Sequence, residues 1–411
     1  MLKYLSMTSL VNKVNSISQG FSIQRLILSI SLIFGLQLST PALAQQSMLI
    51  PAAPNVAAEA YILIDADSGR VLIEHNADLR LPPASLTKLM TSYVLSYELN
   101  NGQIVPSDVV TISKNAWAQN PIFKGSSLMW LEVNKQVTIE ELHQGIVVSS
   151  GNDATVAVAE YLAGSEDAFA DIMNQHARML GMSGSHFVNS HGLPHEMHLT
   201  TARDLAILAK ALMTFPNEYA LYSQKEYTYN GIRQSNRNRL LWNDPTVDGL
   251  KTGHTQEAGY CLVTSAERDG MRLISVVLGA KSESSRERET QKLLSYGYRF
   301  YETHKLYNAG AALTQAKVWK GDRENVSLGV SEDIYLTIPR GKREDLEAAL
   351  NVDEYLTAPV KTDAEYGELR VTLHDKLLLK APLVALQKVD EGGFVKQIWD
   401  SILLFGHELA Q

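Results

Sequence analysis

The period of the apolar positions changes several times along the chain, and each change marks an element. "YILIDADSGRVLIEH", residues 61–75, alternates on either side of Asp67, Ser68 and Gly69, which predicts a β-hairpin. From Leu86 the spacing turns helical, with Leu89, Met90, Tyr93, Val94 and Tyr97 following, so an amphipathic or largely buried helix is expected. "TIEELHQGIVV" and "ATVAVAEYLAG" read as two helices interrupted by "SSGND". "GYCLVTSAERDGMRLISVVLG" is a strand, turn, strand unit, and the charged helix "SRERETQKLLSYGYRFYET" follows it. Strands early and late with helices between them predict an α+β fold, an antiparallel sheet flanked by helices on both faces, over residues 45–305.

Beyond residue 305 the pattern shortens. "VSLGV", "IYLTI", "ELRVTL" and "LLLKAPLVAL" are separated by polar turns, and only "REDLEAAL" has helical spacing. A small all-β domain of sandwich type is expected over 306–390. Residues 391–411 carry Phe394, Ile398, Trp399, Ile402, Phe405 and Leu409 on one stripe, with Lys396, Gln397, Asp400 and Glu408 mostly elsewhere. That is an amphipathic helix, fit either to lie in a membrane interface or to dock on the β domain.

The other end has a different character. Residues 1–44 hold Lys3, Lys13 and Arg25 and no acidic residue, then the run "LILSISLIFGLQL" and a small-x-small site ending at Ala44. These are the parts of a secretory signal peptide, and the apolar run is shorter than the roughly 20 residues a spanning helix needs. Removing its three positive charges takes the net charge of the 411-residue chain from −8 to −11, which argues against a nucleic-acid partner. The single cysteine, Cys261, excludes an intrachain disulfide, so an exported chain of this kind relies on its core. Its place in "YCLVTSA" reads as a small buried hydrophobe.

Candidate chemistry begins at "PPASLTKLMT". Ser85 and Lys88 stand three residues apart at the head of the predicted helix, so hydroxyl and amine share one face. An alcohol needs a base within hydrogen-bond reach to act as a nucleophile. Lys88 serves if burial and a second cation, for which Lys251 is the candidate, favour its neutral form. Ser85 also lies in the first helical turn, where backbone N–H groups have no intrahelical partner and can stabilise a developing oxyanion. A lone Ser-x-x-Lys arises by chance about once or twice in a chain this long. Here it is joined by Ser150, Gly151 and Asn152 at a break between helices and by Lys251, Thr252 and Gly253 ahead of a strand.

With these three motifs in this order the chain resembles the low-molecular-mass penicillin-binding proteins of the serine-type D-alanyl-D-alanine carboxypeptidase family. The resemblance spans nearly all of the chain after the leader. It implies a β-lactamase/transpeptidase-like catalytic domain, a small β domain, and often a C-terminal helix that anchors the protein to the periplasmic face of the inner membrane. It implies as partners a peptidoglycan stem peptide ending in D-Ala-D-Ala and β-lactam antibiotics as covalent inhibitors, with no metal or cofactor. Ser85 would attack the D-Ala-D-Ala bond, D-alanine would leave, and water would hydrolyse the acyl-enzyme. Ser150 would relay a proton with the leaving amine, and Asn152 would orient Lys88 and the substrate amide. Lys251, Thr252 and Gly253 would line the edge strand, His254 would give a second oxyanion N–H, and Arg286, with Arg288 as its competitor, would meet the substrate carboxylate. The same likeness makes "HGLPHEMH", with His191, His195 and His198, a structural loop and not a zinc site.

Two other readings use the same fold. A β-lactamase would need a residue such as Glu196 to activate a deacylating water. A non-catalytic wall-binding scaffold would have no use for intact Ser85, Lys88, Ser150 and Lys251.

Overall fold

Residues 50–353 and 355–408 are described in the computed structural model, so the leader expected at 1–44 lies outside the described residues. Strand β1 (Ala60–Asp65) turns through Gly69, at φ +70°, into β2 (Val71–His75). A 3-10 turn at Ala84–Leu86 leads into α1 (Thr87–Asn100). Helices α2 (Ile139–Gln144), α3 (Asn152–Ala163), α4 (Glu166–Met179) and α5 (Ala202–Leu212) follow. Then come β3 (Val247–Thr255), β4 (Gly259–Arg268), β5 (Met271–Ala280) and α6 (Glu283–Phe300).

The five strands form one antiparallel sheet in the order β2-β1-β5-β4-β3, which leaves β3, with its Lys-Thr-Gly, at an edge. Alternation decides which helix each face takes. Ile62, Ile64, Val263, Ile274 and Val276 face Leu89, Met90 and Val94 of α1, Phe169 of α4 and Leu205 of α5. Tyr61, Leu63, Leu262, Leu273 and Val277 face Leu293 and Leu294 of α6. Burying one such side chain contributes roughly 1.5–3 kcal/mol, and α1 is buried from Thr87 through Ser96. It is a central core helix, because its far side packs Leu95 into a third cluster with Leu142, Ile146, Val156 and Phe123.

The second expected domain is all-β. Helix α6 runs directly into β6 (Tyr301–Tyr307). It is followed by β7 (Ala312–Trp319), β8 (Asn325–Gly329), β9 (Ile334–Pro339), β10 (Leu346–Val352), β11 (Leu356–Thr357), β12 (Glu365–Leu373) and β13 (Lys376–Ala385). A six-stranded sheet, β10-β12-β13-β8-β7-β11, is joined by the pair β6-β9 around Val318, Leu328, Ile338, Leu369 and Leu383. "REDLEAAL" is the one element assigned wrongly. Only Arg343–Asp345 make a helical turn, and Leu346–Val352 is an edge strand paired with β12 from Leu346↔Leu373 to Val352↔Gly367. Its residues are mostly exposed, so local helical preference met no core to face, and the ladder offered by β12 decided.

The domains are joined by a polar cluster at the first hairpin. The buried Asp65 carboxylate accepts from Ser68 N at 2.7 Å and from Thr303 Oγ1 at 2.6 Å, and Thr303 Oγ1 lies 2.8 Å from Thr337 Oγ1. The final helix, α7 (Phe394–Glu408), is seated by its polar side, since Asp400 is buried and accepts the Lys320 N–H at 2.6 Å. Phe394, Val395, Trp399, Ile402 and Phe405 are left exposed. Among the described residues no helix is long and apolar enough to cross a membrane.

Candidate active site

Ser85 sits half-buried in the 3-10 turn ahead of α1. The turn is tight. Ala84 is held at φ +48°, and its carbonyl accepts from Thr87 Oγ1 at 2.8 Å. His198 supports the same hydroxyl. Its Nδ1 accepts the Val188 N–H at 3.1 Å, so Nε2 carries the proton and donates to Thr87 Oγ1 at 2.7 Å. Gly192 closes the turn from outside, where a Cβ would lie 1.8 Å from the Ala84 oxygen.

Lys88, one turn on, is 1% exposed. Its Nζ lies 3.2 Å from Ser85 Oγ and 2.7 Å from both Asn152 Oδ1 and His191 O. Burial, reinforced by the positive charge of Arg237, lowers its pKa to about 7, while Asp153 and Glu166 pull the other way. Asn152, the first residue of α3, is fixed on its other side by Ser126 Oγ at 2.9 Å. Ser150 occupies the left-handed region at φ 59°, after the wide turn Gly145–Ser149, and its hydroxyl accepts from Lys251 Nζ at 3.0 Å. Burial, then the charges of Lys88, Arg237 and Arg286, hold the Lys251 amine well below its ordinary range. The three motifs therefore meet in two hydrogen-bonded pairs, Ser85 with Lys88 and Ser150 with Lys251, and Asn152 bonds Lys88.

Thr252 and Gly253 continue along β3. Glycine is required at 253 because a Cβ there would stand 2.9 Å from the Pro83 oxygen, just ahead of the nucleophile. The His254 ring is exposed and lies 4.1 Å from the Tyr260 ring. Arg286 is 2% exposed, with Nη2 3.4 Å from Arg237 O and 3.0 Å from Glu283 Oε1. The Arg288 side chain, by contrast, is 59% exposed and pairs with Glu289. Of the two arginines it is Arg286 that turns inward.

The sequence reading missed Arg237. The cation expected to act on Lys88 was Lys251, but the positive charge that lowers Lys88 is Arg237, and burial holds the Lys251 amine itself well below its ordinary range. Arg237 Nη1 donates to Ser149 O at 2.9 Å, beside the Ser-Gly-Asn turn. "QSNRNR" reads as an ordinary polar loop, and nothing in it signals an arginine that reaches the Ser-Gly-Asn turn. Ser126 and the His191 carbonyl were missed for the same reason: both arrive on loops. The "HGLPHEMH" histidines go to separate tasks. His191 and His198 are buried, each accepting a backbone N–H at Nδ1, and His195 is exposed. Glu196 is exposed as well.

A serine hydrogen-bonded to a buried lysine, faced by an antiparallel edge strand and a Ser-Gly-Asn turn, defines a serine acyl-transfer enzyme of the penicillin-binding class. The family model described as D-alanyl-D-alanine carboxypeptidase matches residues 47–282, and that described as penicillin-binding protein 5, C-terminal domain, matches residues 301–391. The chain is 49% identical over 363 residues to the D-alanyl-D-alanine carboxypeptidase DacA of Escherichia coli K12, covering 87% of this chain and 90% of that one. It is 45% identical over 360 residues to DacC of the same organism, covering 87% and 90%. Penicillin-binding protein 5 from Haemophilus influenzae, a solved structure, matches with a TM-score of 0.80 and 41% identity, covering 83% of this chain and all of that one. The chain belongs to the D-alanyl-D-alanine carboxypeptidase family and is a serine-type peptidase.

Proposed function

We propose that Ser85 is the acylated nucleophile and Lys88 its base in removing the terminal D-alanine from peptidoglycan stem pentapeptides. The carrying observation is the 3.2 Å approach of the Lys88 amine to Ser85 Oγ, at a lysine whose pKa is brought to about 7. Neutral Lys88 takes the hydroxyl proton as Ser85 attacks the D-Ala-D-Ala carbonyl. The Ser85 and His254 N–H groups stabilise the oxyanion. Ser150, hydrogen-bonded to Lys251, passes a proton to the leaving amine, D-alanine departs, and water hydrolyses the acyl-enzyme. Asn152 orients Lys88 and the substrate amide, and Thr252 and Gly253 line the strand against which the peptide extends. Arg286 supplies positive charge for the terminal carboxylate. A β-lactam, with its own strained amide, acylates Ser85 by the same first step. The β-lactamase alternative is not favoured: its candidate Glu196 is exposed, and the relatives are carboxypeptidases.

Residues 1–44 serve as a signal peptide, the chain from 45 to the end of α6 at 300 as the catalytic domain, that from the start of β6 at 301, a few residues before the expected boundary, to 390 as the β domain, and 391–411 as an anchor on the periplasmic face of the inner membrane. The exposed apolar side of α7 supports anchoring. The reaction is tested by incubating wild type and Ser85→Ala with a muramyl pentapeptide and measuring free D-alanine, alongside labelling by fluorescent penicillin. Release and labelling by wild type alone are expected. Equal labelling of both, or crosslinked product without D-alanine hydrolysis, would sink this assignment.

A further inference from the structure

The contacts of Lys88 are unequal. Asn152 Oδ1 and His191 O each lie at 2.7 Å from Nζ, and Ser85 Oγ lies at 3.2 Å. A neutral amine has two hydrogens and one lone pair. With both hydrogens given to those two carbonyl oxygens, the lone pair is left for the Ser85 hydroxyl. The His191 carbonyl is thus half of what aims the base, and it lies on a loop.

A loop carbonyl is only as well aimed as its loop is held. Glu166, the first residue of α4, holds this one. Its Oε1 accepts from Ser190 N at 2.9 Å and Ser190 Oγ at 2.6 Å, and lies 3.3 Å from His191 Nε2. The His191 Nδ1 accepts the Leu193 N–H at 3.0 Å, so Nε2 bears the proton and points it at the carboxylate. Thr91 of α1 completes the grip, donating to Ser190 O at 2.6 Å. Glu166 is not consumed in capping its own helix, because Ser165 does that through Ala168 N.

We propose that Glu166 is a positioning residue for acylation: through Ser190 and His191 it presses the His191 carbonyl against Lys88 and so directs the amine lone pair to Ser85. This rests on the assignment of Lys88 as the base. Glu166 also has an electrostatic effect. The charged or titratable groups facing Lys88 are Arg237 from the loop before β3, Asp153 of α3, Glu166 of α4, Lys251 of β3, and His191 and His198 of the loop. Burial lowers both histidines to about 3, so they stay neutral. Glu166 and Asp153 favour protonated Lys88, and Arg237 opposes them. Glutamine at 166 keeps the accepting oxygen and removes the charge.

The test is the second-order rate of labelling by fluorescent penicillin, from about pH 5 to about pH 10, for the full chain as wild type, Glu166→Gln and Glu166→Ala, each with a thermal melt. Glu166→Ala is expected to lower the high-pH plateau by about ten- to a hundredfold. Glu166→Gln is expected to keep the plateau within about threefold and to move the midpoint of the rise to lower pH by roughly half to one pH unit. A Glu166→Ala plateau equal to wild type overturns the proposal, whatever its melting temperature. So does a Glu166→Gln midpoint that stays in place, and this result decides even if Glu166→Ala does not fold. If wild type fails to label at Ser85, the assignment of the base falls first; unaltered variants beside a labelled wild type remove the positioning role alone.

Discussion

Lys88 carries the conflict on which the chemistry runs. An amine 1% exposed is costly to charge, and burial and Arg237 bring its pKa from 10.5 to about 7. The folded protein then binds fewer protons than the unfolded chain between about pH 7 and 10.5, so stability rises with pH through that window. The contribution is fully present above the unfolded value and is lost as pH falls through the folded one. Lys88→Met fills similar space without charge, so its stability should lack this slope. The difference between wild-type and Lys88→Met denaturant curves is expected to change by roughly 1–3 kcal/mol between neutral and alkaline pH. A difference independent of pH would show that Lys88 keeps its ordinary pKa. In wild type the acylation rate should climb through about pH 7 as Lys88 loses its proton, and Lys88→Met should not acylate.

Elements are placed here by close approaches that only glycine allows. The loop between α4 and α5 lays Gly192, at φ +89°, against the Ala84 carbonyl, and it carries the His191 oxygen to Lys88. Loop, nucleophile turn and base therefore move together. Gly192→Ala brings a Cβ within 1.8 Å of that oxygen and into an unfavourable φ. It should cost about 2 kcal/mol or more of stability and slow acylation about tenfold or more. Denaturant titration and penicillin labelling check this, and wild-type labelling in Gly192→Ala would mean that the turn does not depend on the contact. "REDLEAAL" teaches the complementary lesson. A helical pattern without an apolar face to bury is weakly committed, and the free edge of β12 drew it into a strand.

At the scale of the molecule, a catalytic sheet is followed by a β domain and a helix whose two sides are divided. The Asp65, Thr303 and Thr337 cluster joins the two domains, and buried Asp400 ties α7 to the β domain. With the polar side turned inward, Phe394, Trp399, Ile402 and Phe405 face outward. Such a face fits a lipid interface. Ile402→Glu with Phe405→Glu should abolish cosedimentation with vesicles of phosphatidylethanolamine and phosphatidylglycerol and leave penicillin labelling unchanged. Undiminished cosedimentation would assign these residues another partner.

What could be read from the chain alone was whatever repeats locally or falls within a turn or two. The alternating hairpin around Gly69, the buried α1, the strands at Gly259–Arg268 and Met271–Ala280, and the Ser85/Lys88 pair are all set by short-range spacing. The order of the three motifs along the chain carried the family resemblance. What tertiary structure decided was every contact made by residues far apart in sequence: Arg237 as the cation by Lys88, the His191 carbonyl and its Glu166 tether, Arg286 turned inward over Arg288, and the strand at Leu346–Val352. The reason is physical. Periodicity encodes which face of an element is apolar, but burial and electrostatic neighbours exist only once loops have closed across the sheet.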